Sequence, residues 1–100
     1  MPFEFRSIPE DFQQDINYAI STLKNAGTTA IYLFGSLAEG RARDSSDIDL
    51  AIQGISPKVF FELYAKTARG LKHELDLVDL DHEEDFARFL RENNRLVQIA

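Results

Sequence analysis

The spacing of apolar positions divides the chain into short helices and shorter strands. Phe12, Ile16, Ala19, Ile20 and Leu23 fall on one face of a helical repeat. The predicted helix begins near Pro9, whose fixed φ suits a first helical position, with Glu10 and Asp11 complementing the helix dipole. Gly27 is its expected left-handed cap. From Thr28 to Phe34 the residues become β-branched and aromatic, which predicts a buried strand. That run passes directly into Gly35-Ser36; Leu37-Ala38-Glu39 then reads as a short helix and polar Arg41 to Ser46 as a loop.

Asp47 to Ile52 alternates acids with Ile48, Leu50 and Ile52, the pattern of a half-buried strand. Gly54 and Pro57 mark a turn, and Phe60, Leu63, Tyr64, Thr67 and Leu71 form a second helical stripe. A third strand is predicted over Leu75 to Leu80, a last helix from Phe86, Phe89, Leu90 and Asn93, and a short edge strand over Leu96 to Ile99. The fold class is therefore α/β, a mixed sheet of three to four strands with helices packed mainly on one face. The other face is left for chemistry. At 100 residues the expectation is one domain spanning 1–100.

Composition adds limits. The apolar share is 44%, with eight Phe and three Tyr, enough for a core without covalent staples. Cysteine is absent, which excludes disulfides and thiolate metal sites. The start, Met1-Pro2-Phe3-Glu4-Phe5-Arg6, is unlike a signal peptide, and no apolar run reaches the length of a membrane span. A soluble cytoplasmic protein without membrane contact is expected. A net charge of −6 argues against binding nucleic acid by itself. Residues 74–85 carry seven carboxylates and no Lys or Arg, most of them read as a solvated strand end and helix start.

Asp47 and Asp49, two apart on a predicted strand, project from one face. Two carboxylates about 4 Å apart repel by roughly 4 kcal/mol at an effective dielectric near 20. A divalent cation relieves that repulsion, and hard oxygen ligands of this kind suit Mg²⁺ or Mn²⁺ together with substrate phosphates. An isolated Asp-x-Asp is more often an exposed strand end; Gly35-Ser36 changes its meaning. A glycine where a strand turns into a helix lets a phosphate approach the backbone, and the Ser36 hydroxyl adds a donor. Arg41 and Arg43 lie between the two halves, equally suited to contacting a triphosphate or to pairing with Asp44. His73 and His82 read as surface residues without a role. Phe3, Phe5 and Tyr18 read as local packing more readily than as an interface.

Gly35-Ser36, followed after ten residues by Asp47-x-Asp49, resembles the signature of the DNA polymerase β-like nucleotidyltransferases. Gly35, Ser36, Ala38, Gly40, Ser46, Asp47, Asp49 and Leu50 all stand where that pattern puts them. The chain is most similar in size to the single-domain minimal nucleotidyltransferases. The resemblance implies a polymerase β-like palm fold and ATP bound at Gly35, Ser36, Arg43 and Ser46. It also implies a third carboxylate on a later strand, which completes a site for two Mg²⁺ ions (or Mn²⁺) with Asp47 and Asp49. Asp76 fits best, Asp79 second and Glu74 third. Small members resemble the nucleotidyltransferase half of toxin–antitoxin pairs, in which AMP is attached to a tyrosine of a helical HEPN-domain toxin. The implied partner is thus a HEPN-domain protein, in a homo- or hetero-oligomer. Two rival readings stand beside it: an antitoxin that neutralises by contact alone, and transfer to a small-molecule hydroxyl such as an aminoglycoside.

Overall fold

The computed structural model describes residues 4–93 and 95–100; Phe3 lies outside them. A 3₁₀ turn over Phe5–Ser7 leads into α1, Glu10–Asn25. Pro9 stands just outside its first turn, and Phe12, Ile16, Ala19 and Leu23 are buried along its inner face together with Asp15. Gly27, at φ 105°, closes the helix, and the Thr28 N–H donates back to the Leu23 carbonyl. The Thr28 hydroxyl donates to that same oxygen. Thr28 is therefore spent on the cap, and strand β1 begins later than its β-branched run suggests, at Ala30–Phe34.

α2, Gly35–Ala38, follows β1 without a break, and β2 runs over Ile48–Gln53. α3, Pro57–Arg69, is started by the Ser56 hydroxyl accepting from the Lys58 N–H. β3, Leu75–Asp79, α4, Glu84–Glu92, and the short β4, Val97–Gln98, complete the chain. The sheet order is β3-β2-β1-β4. β2 and β3 are parallel, while β1 is antiparallel to β2 and to β4.

Strand parity separates two cores. Ile31, Leu33, Ile48, Leu50, Ile52, Leu75 and Leu77 point to one face, under the apolar stripes of α1 and α3. On the other face a smaller cluster of Phe34, Ala51, Val78 and Leu80 is covered by Ala87 and Leu90 of α4. The two long helices thus cover one face as expected, and α4 closes part of the other. What remains open there is the end of the sheet where β2 and β3 begin. No helix among the described residues is long and apolar enough to cross a membrane.

Candidate active site

The open end of the sheet carries the motif residues. Phe34 pairs with Asp49, and the next residue, Gly35, takes φ 73°, a left-handed conformation that side chains other than glycine's rarely adopt. A Cβ at Gly35 would collide with the Asp49 carboxylate, coming within 2.9 Å of its Cγ. The Asp49 carboxylate therefore rests against the bare glycine backbone, and the two halves of the motif touch. α2 starts without a side-chain cap, so the N–H groups of its first turn have no helix partner. Gly40, at φ 72°, bends the chain again, and the Arg41 N–H donates to the Ser36 carbonyl. The Arg43 N–H then donates to the Ser46 hydroxyl at 2.8 Å while the Ser46 N–H donates to the Arg43 carbonyl, a turn that delivers Asp47 to the mouth of β2. Asp47 precedes the strand by one residue instead of opening it.

Asp76 is the register partner of Asp49 on β3 and is exposed at the sheet edge. Asp79 stands an odd number of residues away and so points to the opposite face. There it is buried, accepts from the Asp81 N–H and lies 2.7 Å from Nδ1 of His82. Glu74 lies outside the strand, its carbonyl accepting from the Ile48 N–H. Asp47 and Asp76 are both near enough to act on Asp49. Burial, then Asp76, then Asp47 raise the Asp49 carboxyl to about 6.

Among the described residues no three acidic or histidine side chains already converge as a closed cation cage. Mg²⁺ keeps several water and phosphate oxygens among its ligands and needs only one or two carboxylates from the protein. An oxygen-only donor set around a half-buried acid whose neighbours are also acids fits a hard divalent cation. The apolar hollow of about 350 Å³ lined by Phe5, Asn17, Ile20, Gln98 and Ile99 includes none of these acids.

Arg41 and His73 differ from expectation. Arg41 pairs with Glu39 at 3.0 Å, not with Asp44, and the other Glu39 oxygen takes Arg95 at 3.0 Å. The Arg43 side chain is exposed and has no ion pair among the described residues. His73 is no simple surface residue: it stacks on Phe12 with ring centroids 3.8 Å apart, and its two nitrogens face Asp15 and Asp11. Asp11, Asp15 and His73 are too distant in sequence for any spacing rule to join them. Phe5 packs against the main core, and Tyr18 lies over Gly70, where a Cβ would overlap its ring. The most exposed apolar side chains are instead Phe61 at 80% and Phe89 at 53%.

The family model for polymerase beta nucleotidyltransferases matches residues 17–98. Among solved structures, a chain of a toxin–antitoxin complex with AMP-PNP aligns at 30% identity and TM-score 0.67, over 82% of this chain and 69% of that chain. A MntA–HepT toxin–antitoxin structure aligns at 27% identity and TM-score 0.63, over 86% and 69%. A third similar structure, of the tri-AMPylated Shewanella oneidensis HEPN toxin in complex with MNT antitoxin, aligns at 27% identity and TM-score 0.61, over 86% and 69%. No protein of curated function matches significantly by sequence.

Proposed function

Because the chain belongs to the polymerase beta nucleotidyltransferase family, we propose that it transfers AMP from ATP, with Mg²⁺, to a tyrosine hydroxyl of a HEPN-domain toxin and so acts as its antitoxin. The observation that carries this reading is the seating of Asp49 against Gly35, with Asp76 in register beside it. Similarity to toxin–antitoxin complexes, one with AMP-PNP and one with a tri-AMPylated toxin, supports AMP as the group transferred and a HEPN protein as acceptor.

Gly35 and Ser36 receive the triphosphate, with Arg43 and Ser46 flanking it from the loop. Asp47, Asp49 and Asp76 would hold two Mg²⁺ ions, or Mn²⁺ in their place. When bound, these ions would acidify the acceptor hydroxyl and neutralise phosphate charge. Asp76, open to solvent on the edge strand, takes the acceptor proton. The acceptor oxygen bonds to the α-phosphorus as the bond from that phosphorus to the β-bridging oxygen breaks, and pyrophosphate leaves with the electron pair. Asp49 rests against the bare Gly35 backbone, so an acid stands directly beside the turn that would receive the phosphates. The seven carboxylates of residues 74–85 fit a protein acceptor better than a nucleic-acid one.

Incubation with labelled ATP, Mg²⁺ and the co-encoded HEPN protein tests the proposal. Label is expected on a tyrosine of the partner, and none with Asp47→Ala. An unlabelled partner, or equal labelling by the variant, overturns it.

A further inference from the structure

The sheet brings to the Gly35-Ser36 turn a cation from the other end of the chain. β1 lies between β2 and β4, with Leu33 opposite Val97 on β4. Leu96 packs in the same cluster as Phe34. Just before β4 the Arg95 N–H donates to the Leu90 carbonyl at the end of α4, so Arg95 stands on the β4 side of β1, the flank away from β2 and Asp49. The Arg95 guanidinium is 3.0 Å from Oε1 of Glu39, and that of Arg41 is 3.0 Å from Oε2. Glu39 closes α2, its N–H donating to the Gly35 carbonyl at 3.1 Å. Two guanidiniums are therefore held one helical turn from the glycine on a single carboxylate, an excess of one positive charge.

That arrangement is built to be exchanged. The side chains of Arg95 and Arg41 are 46% and 66% exposed, and ion pairs this open to water are weak. A polyphosphate offers several oxygens to the guanidinium fork, a geometry in which arginine binds strongly. The three acids lie on the Asp49 flank of Gly35. A cation on the opposite flank consequently meets the part of a triphosphate farther from the metal-binding acids, its pyrophosphate end.

We propose that Arg95 binds the pyrophosphate portion of the nucleotide, and that Glu39 keeps it beside the cradle until phosphate oxygens displace the carboxylate. The assignment rests on the nucleotidyltransferase reading above. It makes Glu39 a positioning residue and a competitor for the same cation. A bridge that merely tied β4 to α2 would behave differently, since removal of either partner would break it alike.

Titration calorimetry of the full chain with Mg²⁺ separates the two, with ATP, inorganic pyrophosphate and AMP as probes. Arg95→Ala is expected to weaken ATP and pyrophosphate about tenfold and AMP little. Arg95→Lys, which keeps the charge without the fork, falls between wild type and Arg95→Ala. Glu39→Gln is expected to leave pyrophosphate binding unchanged or tighter, because it removes the competing carboxylate. Unchanged thermal midpoints establish that each variant is folded. Equal ATP binding by wild type and Arg95→Ala overturns the assignment, as does equal weakening by Arg95→Ala and Glu39→Gln, or a loss as large for AMP as for ATP. A wild-type chain that binds neither ATP nor pyrophosphate overturns the nucleotidyltransferase reading itself, and this inference with it.

Discussion

Asp15 on the inner side of α1 and Asp49 near the start of β2 are both carboxylates drawn off the surface, but they keep different company. Asp15 accepts from the backbone N–H groups of Lys72 and His73 at 2.9 Å and lies 2.8 Å from Nδ1 of His73. It pins the connection between α3 and β3 to α1. The Asp49 carboxylate accepts no hydrogen bond from the described residues, and its charged neighbours are Asp76 and Asp47. Desolvation has to be compensated, since a buried polar group without partners costs stability. Around Asp15 the chain provides that compensation itself. Around Asp49 it provides no donor among the described residues and adds charge of the same sign, an environment that suits a cation from outside. Asp79 belongs with Asp15: it is buried, but His82 and the Asp81 N–H answer it.

The sharpest break of this comparison exchanges a carboxylate for its amide at both positions. Asp49→Asn is expected to lower nucleotidyl transfer by about a thousandfold, in line with loss of a preorganised charge, with a thermal midpoint equal to or above that of wild type. Asp15→Asn is expected to cost about 2–3 kcal/mol of stability, because an amide N–H₂ meets buried donors. Its transfer rate per folded molecule should be unchanged. Denaturant midpoints and rates for the two proteins check both statements, and a stability loss in Asp49→Asn would dissolve the distinction.

A smaller effect is expected where Gly35 supports Asp49. Gly35→Ala combines a strained backbone, about 1–2 kcal/mol for the left-handed region, with the collision against the carboxylate. Gly40→Ala has a similar φ of 72° but nothing within 4 Å of the added Cβ, so it carries the backbone cost alone. The excess loss in Gly35→Ala should shrink when Asp49 is also changed to Ala, a coupling that a double-mutant cycle of stabilities reads directly.

The smallest expected effect is on pH. The Asp49 carboxyl is raised to about 6 in the folded chain from an ordinary value of 3.8. Between those values the folded state binds more protons than the unfolded one, so this group's contribution to stability falls as pH rises through the window. Half-exposure and solvent screening limit the contribution to about 1 kcal/mol. The difference between wild type and Asp49→Asn, measured from pH 4 to pH 7, isolates it from other acids. Mg²⁺ at pH 7 should raise the wild-type midpoint and leave that of Asp49→Asn unchanged.

The helices and strands were largely legible in the chain's apolar periodicity, because a face that packs must repeat with its element. Boundaries moved where a residue had a competing local task, as at Thr28, whose N–H and hydroxyl both cap α1. In the site, parity along β3 already required Asp76 and Asp79 to face opposite ways, but it could not say which shares a face with Asp49. In sequence His73 reads as a plain surface residue because its partners, Asp11 and Asp15, sit on a helix far back in the chain.

By itself the sequence determined what is local: the helical stripes, the strand alternation, and the spacing from Gly35-Ser36 to Asp47 and Asp49. Those features depend on backbone geometry over a few residues and on one connecting loop. The tertiary structure alone decided that Asp76 stands in register beside Asp49 and that Arg95 reaches Glu39. Both depend on strand register, and a slip of one residue would turn every side chain of a strand to the other face. Register is set by the fit of whole apolar faces under α1, α3 and α4, a property that no short segment of the chain contains.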